Sequence, residues 1–178
     1  MNLQNIFKKI RYNCGLKRRD CWVPEGIPVD EPSVTSHFGW RADPRNRIAS
    51  IPQYHGAVDL SVPEGTEVYT TAAGIVSKVD KVGTGSAGRY VEIEHRDDQG
   101  ILVYKTKYFH NSEILVNTGE FVGFGSKIAK SGKTGRLPNG DPSVTGPHVH
   151  YEIWYNGKAI DPEDFFETWN TGLLLLLQ

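Results

Sequence analysis

The 178-residue chain has no long apolar run, only two cysteines and almost no net charge. No stretch approaches the ~20 consecutive apolar residues that cross a bilayer as a helix, so no transmembrane span is expected. The five leucines Leu173 to Leu177 are too few for one and read as a packing tail or a dimer contact. Cys14 and Cys21 do not make a structural zinc site by themselves, and a chain of this length builds a core without disulfides. They read either as a bridge or as two free thiols. A net charge of -1 lacks the basic surplus that phosphate binding leaves, which argues against nucleic acid as a partner. No clear signal peptide is legible: the basic residues follow the short segment Asn2 to Phe7 instead of preceding it, and no apolar stretch leads to a cleavage site.

What charge there is lies unevenly. Residues 1–21 hold six Lys/Arg against the single acid Asp20, and the remainder carries a net of -6. This divides the chain into a basic lead-in over residues 1–30, partly ordered at most, a domain over 31–170 and a leucine-rich tail over 171–178. The domain reads as all-β. Short segments rich in Val, Ile, Thr and Tyr recur between glycine turns, among them Gly74 to Val79, Tyr90 to His95, Ile101 to His110 and His148 to Trp154. Asp97 to Gly100 reads as a hairpin turn, Arg41 to Gln53 as an ordered surface loop and Leu137 to Ser143 as a loop insertion. The expected architecture is antiparallel, a distorted sandwich or a barrel of duplicated hybrid motifs. One short C-terminal helix is expected, capped by Asp161 with Pro162 at its first position and running to about Asn170.

Of six histidines, two stand two apart in Gly146-Pro-His148-Val-His150-Tyr-Glu152. On a strand, such positions face the same side, so both imidazoles project together. An ordinary strand has no need of that. His55 and Asp59, in His-Gly-Ala-Val-Asp, form a second polar pair. Zinc takes a few His, Cys, Asp or Glu ligands and, at a catalytic site, keeps a position for water. Together with His110, these residues offer more donors than zinc uses, so some are available as base or oxyanion support. A lone buried histidine is ordinarily a hydrogen-bonded core residue; five such polar groups in one chain need a shared reason. The residues alone leave open which of His148 and His150 is the ligand. They also permit a metal-storage or purely structural site.

The chain resembles the lysostaphin-type (LytM-type) zinc endopeptidases that cut peptides in bacterial cell walls. The resemblance is carried, in order, by Thr35 to Arg41, His55 to Asp59, Pro63 to Tyr69, Ala73 to Val76, Val91 to His95, Tyr108 to His110, Gly132 to Gly135 and Gly146 to Glu152. It implies His55, Asp59 and His150 as ligands of Zn2+, with His148 as the base and His110 as the second catalytic imidazole. Arg41 and Tyr54 are implied as substrate or oxyanion support, His95 as a structural strand residue, and His37 as a surface or support residue. Three positions depart from the family pattern. Ala57 replaces a glycine without disturbing the geometry, Asn111 replaces a leucine and is expected to alter the cleft wall, and the longer stretch between Gly135 and Thr145 is expected to reshape one rim.

The implied activity is hydrolysis of peptide bonds in peptidoglycan stem or cross-bridge peptides by metal-activated water, in an extracytoplasmic setting. Peptidoglycan peptides are then the partner, and the basic residues between 8 and 19 offer weak attraction to the envelope. The competing class is a catalytically silent zinc-containing scaffold that binds or activates another wall hydrolase.

Overall fold

The computed structural model describes residues 21–42 and 52–166. Thirteen strands hold just under half of them: β1 Ser33–Ser36, β2 Gly39–Ala42, β3 Pro52–His55, β4 Val58–Ser61, β5 Glu67–Tyr69, β6 Gly74–Asp80, β7 Arg89–Arg96, β8 Leu102–Asn111, β9 Glu113–Ile114, β10 Phe121–Val122, β11 Lys127–Lys130, β12 His148–Tyr155 and β13 Lys158–Ile160. The largest sheet runs β1-β4-β12-β8-β7-β6-β10, with β13 beside β12. A three-stranded sheet runs β5-β11-β9, and β2 and β3 form a separate ribbon. The ladders are antiparallel, as expected of hairpin-linked strands.

Alternation fixes which face does what. Along β12, Val149, Tyr151 and Ile153 are fully buried, while His148, His150, Glu152 and Trp154 alternate with them. Val91 and Ile93 of β7 and Tyr108 of β8 join that inward set, which meets Val68, Ile128 and Ala129 of the smaller sheet in one core. The two tyrosines satisfy their hydroxyls at Thr71, whose Oγ1 lies 2.7 Å from Tyr151 Oη and 3.3 Å from Tyr108 Oη. A polar ladder crosses the outward face, with Glu92, Lys107 and Glu152 in register on β7, β8 and β12.

Several expectations meet their residues here. The hairpin turn forms with Gly100 N–H donating to Asp97 O, and the Asp97 carboxylate accepts from Gln99 and Ile101 N–H. The stretch expected as a loop from Arg41 to Gln53 ends inside strands on both sides, and residues 43–51 lie outside the described residues. The helix starts at its cap: Asp161 Oδ1 accepts from Glu163 N–H at 2.9 Å. Its described part is one 3-10 turn, Pro162–Phe165, with Phe165 edge-on to Tyr104, and residues 167–170 are outside the described set. Residues 21–30, assigned to the lead-in, contribute Cys21, Val23 and Val29 to the core, so the packed domain reaches further upstream than residue 31. Cys21 is disulfide-bonded; Cys14, the basic residues 8–19 and the leucines fall outside the described residues. Among the described residues no helix is long and apolar enough to cross a membrane.

His95 belongs to the core. Its Nδ1–H donates to Ala73 O at 2.8 Å, its Nε2 accepts from the Thr106 hydroxyl at 2.8 Å, and burial pushes it down to about 4. In the unfolded chain an imidazole titrates near 6.5, so between about pH 6.5 and about pH 4 the unfolded state binds the extra proton. Stability should therefore fall as pH drops through that window, by up to ~3 kcal/mol. His95→Gln, which keeps one donor and one acceptor, should flatten the curve there. Urea unfolding from about pH 7 to about pH 4.5 tests it, and parallel curves for the two proteins would remove this role.

Candidate metal centre and catalytic site

Three strands bring the ligand candidates together. His55 ends β3 and Asp59 sits in β4, so they meet across the Gly56-Ala57 link instead of sharing one strand face. Ala57 is fully buried there. Asp59 pairs in register with His150 of β12. Asp59 Oδ1 lies 2.9 Å from His150 Nδ1 and 3.3 Å from His55 Nε2, and those two nitrogens are 3.3 Å apart. Donor atoms of a four-coordinate zinc with bonds of about 2.0–2.1 Å lie roughly 3.3 Å from one another, so the spacing fits.

The far side of each ring explains its orientation. A carbonyl or carboxylate oxygen only accepts, so the ring nitrogen facing it carries the hydrogen and the other nitrogen keeps its lone pair. His55 Nδ1–H donates to His37 O at 2.9 Å, leaving Nε2 free. His150 Nε2–H donates to Glu152 Oε1 at 3.3 Å, leaving Nδ1 free. Two lone pairs and a carboxylate thus converge, an arrangement that calls for a proton or a cation between them. Burial alone would push His150 down, but its bonds to Asp59 and Glu152 and their charges outweigh it and hold the ring above its ordinary value. Burial likewise opposes the charge on Asp59, yet His150 and His55, once a facing nitrogen carries a proton, keep its carboxyl well below the usual range. A divalent cation answers the same convergence, and the donor set of two imidazoles and one carboxylate is one that zinc takes. The residues fit the metal.

Two more imidazoles face this group. His148 Nδ1–H donates to Gly146 O at 2.9 Å, and its Nε2 stands 3.8 Å from Asp59 Oδ1. His110 Nδ1–H donates to Thr134 O at 2.9 Å, and its ring centroid lies 4.9 Å from that of His148. By simple alternation His110 would follow Tyr104, Thr106 and Tyr108 into the core. Instead Arg89 pairs with Asn111 while Val91 pairs with Tyr108, which marks a bulge at the end of β8, and His110 adopts φ 64°. Bulges re-aim side chains, and left-handed conformations in non-glycine residues cluster at functional sites. Burial, assisted by the neighbouring His148 charge, pushes His110 down to about 4.

Asp59, His110, His148 and His150 line a cleft of about 250 Å³, which also takes in Arg41, Gln53, Ser86 and the loop residues Ser143, Val144 and Thr145. Ser143, Val144 and Thr145, at the end of the stretch that begins at Gly135, thus form part of one rim. Arg41 reaches Asp59 Oδ2 at 3.6 Å and donates to Ser36 Oγ. Tyr54 is not brought in. Its side chain stands edge-on to Phe38 and Trp40, with ring centroids 5.4 and 5.5 Å away, and it does not line the cleft. Asn111 does not line it either; its buried amide donates to Arg89 O and Tyr108 O and ties off the bulge. His37 supports His55 through its carbonyl while its exposed ring bonds Glu163. A larger cleft of about 450 Å³ is lined by Lys105, Lys107 and Trp154, but its lysines are already paired with Glu92, Glu94 and Glu152. Sequence reading passed over Glu152, although it continues the two-residue spacing of His148 and His150.

Comparison with known proteins agrees with this geometry. The chain is 44% identical over 118 residues to an uncharacterized metalloprotease of Haemophilus influenzae, covering 66% of this chain and 22% of that protein. It is 36% identical over 134 residues to the peptidoglycan DD-endopeptidase ShyB of Vibrio cholerae, covering 75% of this chain and 28% of the relative. It superposes with a TM-score of 0.62 on a zinc-containing peptidase from Vibrio cholerae at 37% identity, covering 78% of this chain and 38% of the other. The chain therefore spans less than a third of the length of those two relatives. The pattern of peptidase family M23 matches residues 53–162, a span that holds all five of the converging residues, and the chain belongs to that family.

Proposed function

We propose that this chain is a zinc-dependent endopeptidase that hydrolyses peptide bonds in the stem or cross-bridge peptides of bacterial cell-wall peptidoglycan, in an extracytoplasmic setting. The observation that carries the reading is the convergence of His55, Asp59 and His150 with two further imidazoles facing the same cleft. The likeness to a peptidoglycan DD-endopeptidase supports the substrate class.

His55 Nε2, Asp59 and His150 Nδ1 would hold the zinc. When bound, zinc supplies Lewis acidity that lowers the pKa of water towards ~7 and polarises a carbonyl. The remaining work falls to side chains of this chain. His148 has its Nδ1–H committed to Gly146 O, so its Nε2 lone pair is the base that takes a proton from the attacking water. His110 is tied in the same way through Nδ1–H to Thr134 O. His148 then hands the proton it took to the leaving amine, while His110, whose Nε2 is an acceptor when the ring is neutral, faces the oxyanion as a donor in its protonated form. Arg41 adds a fixed cation beside Asp59 and a donor on the cleft wall. The basic residues between 8 and 19 would add weak attraction to the envelope.

The deciding experiment compares wild type with His148→Ala on purified peptidoglycan at matched zinc occupancy. Product release should fall by about 10²–10⁴-fold in the variant, the range for loss of a general base. Equal, background-level release from both proteins would favour the silent scaffold that holds another wall hydrolase.

A further inference from the structure

Beyond His150, the strand continues its outward two-residue step to Glu152 and Trp154, and these do not stand free. Glu152 uses both oxygens. Oε1 accepts from His150 Nε2–H at 3.3 Å. Oε2 accepts from Trp154 Nε1–H at 2.5 Å and from Lys107 Nζ at 3.2 Å. Lys107, directly opposite on β8, also stands 4.0 Å over the Trp154 ring. The carboxylate is thus fastened on one side by an indole and an ammonium that hold each other, and its other oxygen is presented to the ligand ring. Imidazole rotates easily about its last side-chain torsion, which is a broad well. A hydrogen bond to the far nitrogen is what selects both the tautomer and the ring plane.

We infer that Glu152 is a positioning residue for the metal centre: clamped by Trp154 and Lys107, it fixes His150 with Nδ1 unprotonated and turned towards Asp59 and His55. This rests on the zinc peptidase reading for the identity of the metal, and on the hydrogen-bond geometry for the role. The bland alternative is that Glu152 is only an ion-pair partner for Lys107 on the sheet surface. The two differ in what the metal feels. Under the positioning role, losing the carboxylate leaves His150 Nε2–H without its acceptor and lets the ring turn, whereas losing Lys107 leaves the His150 bond in place.

Zinc affinity of the full chain, measured by competition with a chromophoric chelator, separates them. Glu152→Ala should weaken zinc by about 10–100-fold, the span for outer partners of metal ligands. Its cobalt-substituted form should show altered visible bands. Lys107→Met should stay close to wild type in both. An amide at position 152 has one acceptor oxygen to share among three donors, those of His150, Trp154 and Lys107, so Glu152→Gln should weaken zinc as well. Removing both competing donors in the triple variant Glu152→Gln/Trp154→Phe/Lys107→Met should recover most of the affinity. Wild-type affinity and an unchanged cobalt spectrum in Glu152→Ala would overturn the positioning role, as would a loss in Lys107→Met equal to that in Glu152→Ala. Peptidoglycan hydrolysis is scored separately. A wild type that binds zinc but releases no product counts against the peptidase reading and leaves the positioning of His150 standing.

Discussion

Asp59→Ala should abolish stoichiometric zinc and bring peptidoglycan hydrolysis to background in one step. Asp59 is the only carboxylate among the three converging groups. Its Oδ1 is within 3.3 Å of both ligand nitrogens, and its Oδ2 lies 3.6 Å from the Arg41 guanidinium. Deleting it removes one negative charge and leaves the Arg41 cation facing two imidazoles, so a divalent ion would enter a site of the wrong sign. The loss in zinc affinity should exceed the roughly 100-fold upper range for outer partners, because under the proposed reading a direct ligand is gone. Asp59→Asn, which keeps the shape and drops the charge, should fall between. Metal content after dialysis and muropeptide release are the measurements, with far-UV circular dichroism to show that the sheet persists. A variant retaining one zinc per chain would displace Asp59 from the centre.

The second large effect is expected at a residue outside the set of converging side chains. Gly88 adopts φ +63°, and a Cβ built there would stand 2.3 Å from Thr134 O, the carbonyl that His110 Nδ1–H donates to. Thr134 cannot yield cheaply: its hydroxyl donates to Asn111 O and accepts from Arg89 N–H, and its own N–H donates to His110 O. Gly88→Ala should therefore cost roughly 2–4 kcal/mol and also displace His110, lowering activity in the fraction that remains folded. Gly100→Ala is the control, since Gly100 has φ +80° but nothing within 4 Å of the added methyl. It should cost only the conformational part, about 1–2 kcal/mol, with activity retained. Equal losses of stability from the two substitutions would show that the approach to Thr134 is not what makes position 88 demanding.

Much of this was legible in the residues because it depends on period and on residue type. The two-residue spacing of His148 and His150 placed both on one face of β12, where they are found. The five polar groups were recognisable as a set because each is costly to bury without a purpose. Other features were not legible because they are set by tertiary geometry. His55 and Asp59 were read as a pair from their closeness in sequence, but they occupy different strands and meet because the chain turns between β3 and β4. Tyr54 neighbours a candidate ligand in sequence and still packs edge-on to Phe38 and Trp40, because adjacent residues on a ribbon face opposite ways. Asn111 was expected on the cleft wall and instead ties off the bulge, whose existence no alternation pattern announces. Glu152 was in plain view; only its distance to His150 Nε2 discloses what it touches.

Three of the four imidazoles around the cleft are steered by main-chain carbonyls, those of His37, Thr134 and Gly146, and one by a side chain. Peptide oxygens survive any substitution that leaves the backbone path alone. An alanine scan would therefore pass over most of the scaffolding that aims these rings and register Glu152 alone. Evolution is similarly free to vary the residues that supply those oxygens, provided the loops keep their course. Drift in such positions, taken by itself, is then no sign of a failing enzyme, whereas a proline or an inserted residue that bends one of those loops is.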